Sequence, residues 1–140
     1  MLRPLLFVGG LMFVLVSVAP FGDPHAQPTD SQATSLNAVK TNVLAATGYD
    51  DHALALAATN VQFVVTITNS HLTSQTEREN EANRIVATIA RSIAEKPEFK
   101  GIQAIHIDYV KRDPGSDHSE IVDGIDFRRD PDGNFRHHIT

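Results

Sequence analysis

The segment from Ser74 to Glu95 constrains this chain most. Ser74-Gln75-Thr76-Glu77 has capping-box spacing, in which a serine hydroxyl and a glutamate carboxylate satisfy backbone N–H groups that a helix start leaves unbonded. Glu77, Glu79 and Glu81 follow in the first turns, where the helix dipole favours negative charge. Ala82, Ile85, Val86, Ile89, Ala90 and Ile93 recur at i, i+3, i+4 and i+7, so they form one apolar stripe with Ile89 near its middle. Pro97 ends the pattern. The spacing predicts a long helix that must bury one side.

Strand patterns flank it. Val61 to Thr68 (VQFVVTIT) is rich in β-branched and aromatic residues, with Val61, Phe63, Val65 and Ile67 on one face. Ile102 to Tyr109 sets Ile105, Ile107 and Tyr109 against His106 and Asp108. Strand, long helix, strand implies a parallel pair joined by a right-handed crossover. After the turn-rich stretch 113–119, Ile121–Phe127 reads as a third strand. Asp130-Pro131-Asp132-Gly133 is a hairpin turn, and Phe135–Ile139 returns as a fourth strand. Upstream, Leu36, Val39, Val43 and Ala46 sit at helical spacing, between Ser35 as N-cap and Gly48 as stop. Residues 51–60 read both ways: their alanines favour helix, whereas Leu54 and Leu56, two apart, favour strand. The expected fold class is α+β, a two-layer domain. Its mixed sheet of about four strands is a β-α-β crossover followed by an antiparallel meander, with two helices on one face.

The N-terminus is of another kind. Arg3 is the one charged side chain before Asp23, and Leu5–Ala19 is an unbroken apolar run of 15 residues. A spanning helix needs about 20 such residues and a signal peptide about 7–15. Residues 1–26 therefore read as a signal peptide, or as an uncleaved anchor through residues 4–19. Residues 27–35 read as a flexible linker and 36–140 as a single α+β domain. The chain has no cysteine, which excludes disulfides and thiolate metal sites. Small domains in oxidising eukaryotic secretion are usually disulfide-stapled. Export to a bacterial periplasm or to the medium is the better expectation.

Twelve basic and 17 acidic residues give a net charge of −5. Phosphate neutralisation drives nucleic-acid affinity and needs a basic patch, which the sequence lacks. An anionic membrane surface is disfavoured for the same reason. Membrane contact is expected only through the N-terminal segment.

Two clusters carry candidate chemistry. Asn69, Ser70 and His71 follow one strand, and Lys111 and Arg112 follow its parallel neighbour. Both groups emerge at the carboxyl ends of the strands, where a small anion could bind with help from the next helix N-terminus. The same residues are also ordinary loop formers. Ser70 and His71 are adjacent, which seldom brings a hydroxyl to a ring nitrogen. No nucleophile elbow or glycine-rich phosphate loop occurs, so no residue is assigned a catalytic role. The second cluster is His106 and Asp108, which share a strand face, with Asp126 and His138 able to join from neighbouring strands. That donor set suits zinc, but it also suits a wet sheet face. Asp130-x-Asp132-Gly133-Asn134 resembles the start of a calcium loop and lacks the acid that completes one.

The expected function is that of a small exported non-catalytic accessory or interaction module of the bacterial cell envelope. Its partner would be another protein or a second copy, met through a sheet edge or the open sheet face. The alternative is a periplasmic protein that binds a metal or small anion.

Overall fold

The computed structural model describes residues 30–139. The expected export segment and its cleavage region lie outside the described residues. In chain order come α1 (Asp30–Thr47), β1 (Leu54–Ala58), β2 (Gln62–Thr68), α2 (Gln75–Ile93), a short 3-10 turn (Pro97–Phe99), β3 (Ala104–Arg112), β4 (Ser119–Arg129) and β5 (Phe135–His138). The five strands lie side by side in chain order. β2 and β3 are parallel, and every other pair is antiparallel. The fold is thus α+β, with the expected crossover and meander.

The fifth strand is β1, from the segment that read both ways. Thr59 turns the chain back: its N–H donates to Gln62 O at 2.9 Å, and its hydroxyl accepts from Val61 N and Gln62 N. The helix preference of alanine is under about 1 kcal/mol per residue, and a five-residue ladder to β2 outweighs it. Val61, expected on the buried face, falls in this turn and is 46% exposed.

Helix α1 begins at Asp30 rather than Leu36, so residues 30–35 are helix and not linker, and Ser35 is not the N-cap. Gln32 Nε2 donates to Glu98 O at 3.2 Å, and Ser35 Oγ donates to Glu98 Oε1 at 2.8 Å. These contacts tie the extra turns to the 3-10 segment. The helix ends as expected, with Gly48 at φ 79 and its N–H on Leu44 O. In α2 the capping box is complete, with Ser74 at the N-cap and Glu77 reaching back.

One sheet face is dry. Phe63, Val65, Ile67, Ile105, Ile107 and Phe127 are all buried there, against Val39, Val43, Ile85 and Ile89 of the two helices. The alternate residues, His106 and Asp126 among them, point to the uncovered face. No helix among the described residues is long and apolar enough to cross a membrane.

Candidate functional site

At the carboxyl ends of β2 and β3 the structure brings most of the first cluster together. Asn69, Ser70 and Lys111 line a cleft of about 430 Å³, together with Thr73, Arg78 and Tyr109. Arg112 lines an adjoining cleft with the loop 113–117. His71 lies beside Tyr49, with ring centroids 6.1 Å apart.

The roles are largely structural. Asn69 takes φ 55, a left-handed conformation that asparagine tolerates. Its side chain donates to Arg112 O at 3.1 Å and accepts from Arg112 N at 2.9 Å, which extends the β2–β3 pairing past the strand end. Ser70 Oγ lies 2.6 Å from Tyr49 Oη and accepts from Leu72 N, so it serves the loop and not a base. Glu77 Oε2 accepts from Thr73 N and Ser74 N, both at 3.1 Å. The protein's own carboxylate therefore faces the positive end of α2. Arg78 is paired with Asp123 at 3.0 Å.

Beneath this cleft lies a group that local patterning missed. Glu81 is 2% exposed, and its Oε1 accepts from Tyr49 Oη at 2.8 Å and Tyr109 Oη at 2.9 Å. Burial is the main cause that pushes the Tyr49 phenol up to about 12, ahead of the nearby Glu81 charge and against a Ser70 bond. Burial and Glu81 push Tyr109 further in the same direction. Both phenols thus stay protonated donors at neutral pH. A sequence signal did exist: Glu81 is four residues before Ile85 and eight before Ile89, on the buried stripe itself.

On the open face His106 lies between two carboxylates. Its Nδ1 is 2.7 Å from Asp126 Oδ1 and its Nε2 is 2.8 Å from Asp108 Oδ1. Gly124 lies under the pair: a Cβ there would be 3.3 Å from Asp108 Oδ1. His138 is opposite Asp126 in the ladder. Three of the four residues of the second cluster, His106, Asp108 and Asp126, are thus assembled as hydrogen-bonded pairs that occupy both nitrogens of His106. Zinc needs a free neutral nitrogen, and no group of three or more acidic or histidine side chains among the described residues is placed to hold a metal ion.

The pair has a pH consequence. Burial lowers the His106 pKa, but the bonds to Asp126 and Asp108 outweigh it and raise the pKa above its usual 6.5. An imidazolium donates to both carboxylates, whereas a neutral ring donates to one. The stabilisation is therefore full below pH 6.5 and is lost as pH rises through the folded value. Urea unfolding of wild type and His106→Gln should show a gap that is larger at acid pH than at alkaline pH. A gap that does not change with pH would show that the ring stays neutral.

The Asp130–Asn134 segment is a hairpin turn. Gly133 N donates to Asp130 O, Asn134 N donates to Asp132 Oδ1, and Arg136 pairs with Asp130 and with Asp132. Arg136 thus supplies the cation for both carboxylates.

The two sheet edges differ. β5 carries Arg136, His137 and His138. β1 reads Leu-Ala-Leu-Ala-Ala, with no charge and no proline. Thr68 N donates to Ala53 O and Thr59 N to Gln62 O, so residues 53, 55, 57 and 59 turn their backbone groups toward β2. By alternation Leu54, Leu56 and Ala58 turn theirs to the free edge. Ala55 and Ala57 are exposed on the open face.

No family model matches this chain, and none of the curated proteins is similar to it in sequence.

Proposed function

We propose that the protein is an exported, non-catalytic interaction module of the bacterial cell envelope that engages its partner by strand addition at β1. The observation that carries this is the β1 edge, which pairs with no strand other than β2 among the described residues. Natural sheets usually protect an edge with charge, proline, bulges or a covering segment. β5 carries basic residues, whereas β1 offers three outward N–H and three outward C=O groups and exposes the small side chains of Ala55 and Ala57. Main-chain hydrogen bonds supply affinity in such pairing, and neighbouring side chains supply selectivity. Export is supported by Leu5–Ala19.

The test uses the full-length chain in its native cell. A photoreactive phenylalanine analogue at Ala57 should give one discrete adduct. The same probe at Arg136, on the other edge, should give none. Adding Ala55→Lys should abolish the Ala57 adduct, because a lysine on an edge obstructs pairing. An adduct from Arg136 but not Ala57 would overturn the assignment of the edge. An adduct of twice the monomer mass would identify a second copy as the partner. β1 suits that pairing: centred on Leu56, two antiparallel copies match all five residues with no like charges opposed. The same preparation reports export, since the protein should begin between Pro20 and Gln27. Cytoplasmic protein retaining Met1 would overturn that part.

A further inference from the structure

A second cleft, of about 490 Å³, lies between the C-terminal end of α2 and the β4–β5 hairpin. That volume is in the range of small-molecule sites. Its walls are apolar, with Ile93, Phe99 and Phe135 among them. Its charged lining is Glu95 against Lys96, Lys100 and Arg129, one acid to three bases. The surplus of two positive charges stands out in a chain of net charge −5.

Arg129 is the focus. Its guanidinium carbon lies 4.8 Å over the Phe135 ring. Its Nε is the one buried side-chain nitrogen or oxygen without a hydrogen-bond partner among the described residues. A buried donor left unbonded costs about 1–3 kcal/mol, so such groups are rare in natural structures. Lys96 and Lys100 form no ion pair among the described residues either. Three cations thus share the lining of this cleft with apolar walls, and Glu95 is the one acid in that lining. The guanidinium sits over the Phe135 ring, and its planar fork is the geometry that receives a carboxylate.

We infer that this cleft binds an amphiphilic anion, a carboxylate on an apolar body, with the head group at Arg129 and the lysines and the body along Ile93, Phe99 and Phe135. The site is separate from β1 and does not depend on the interaction reading.

Decanoate, below its micelle-forming concentration, is the probe, titrated into the purified protein by calorimetry. One saturable site with a sub-millimolar Kd is expected. Decanol has the same body without the charge, and acetate has the charge without the body; each should bind at least about tenfold more weakly. Arg129→Gln should weaken decanoate by about tenfold or more. Because Arg129 also packs on Phe135, its variant is read beside Lys100→Glu, an exposed position, which should weaken binding severalfold with the melting temperature unchanged. Decanol binding as tightly as decanoate would overturn the inference, as would unaltered affinity in both variants. So would the lack of saturable decanoate binding.

Discussion

Ile89→Ala is expected to destabilise the protein by about 2–5 kcal/mol. Ile89 is fully buried, midway along the α2 stripe, in the single cluster that joins both helices to the dry sheet face. Truncation removes its transfer free energy and leaves a void that rigid neighbours close only in part. The neighbouring elements are pinned: β2 and β3 by a parallel ladder, and α2 at its start by the capping box. A loss near the upper end is therefore expected. Domains have about 5–15 kcal/mol in total, so the variant should unfold at markedly lower urea with an unchanged slope. A shift below about 0.5 kcal/mol would mean that the stripe is not a core.

The second large effect is expected at Tyr109. Tyr109→Phe removes one of two phenol donors from the buried carboxylate of Glu81 and also releases Arg78 O, which Tyr109 Oη bonds at 3.1 Å. Hydrogen bonds to charged groups contribute about 1.5–3 kcal/mol, and the loss should fall in that range. Tyr49→Phe should cost less, because Tyr49 is partly exposed and water can replace its hydroxyl. The distinguishing result comes from a double-mutant cycle. Glu81→Gln removes the charge that needs the donors, so Tyr109→Phe should cost less in that background than in wild type. Equal costs would show that Glu81 and Tyr109 are not coupled.

Much of the scaffold was readable from the chain. Helix α2, strands β2 and β3, the β4–β5 hairpin and the stop at Gly48 follow from capping residues, apolar period and turn chemistry, which act within a few residues. Of the candidate residues at the strand ends, Asn69, Ser70 and Lys111 line one cleft, because parallel strands bring their carboxyl ends together, whereas Arg112 lines the adjoining one and His71 lies beside Tyr49. Their roles were less legible. Nothing in Asn-Ser-His shows that Asn69 continues a ladder or that Ser70 meets a tyrosine from another element.

The sequence by itself determined the α+β class, the crossover and which side of α2 is buried, because hydrophobic period and helix capping are local properties. Only the tertiary structure decided the start of α1, the strand state of residues 54–58, the donors around Glu81 and the cationic cleft at Arg129. Gln32 and Ser35 meet Glu98 from 66 and 63 residues away. Tyr49 and Tyr109 reach Glu81 across 32 and 28 residues. A weak local preference, such as that of alanine for helix, yields to such contacts, because each buried partner contributes more free energy than the propensity it overrides.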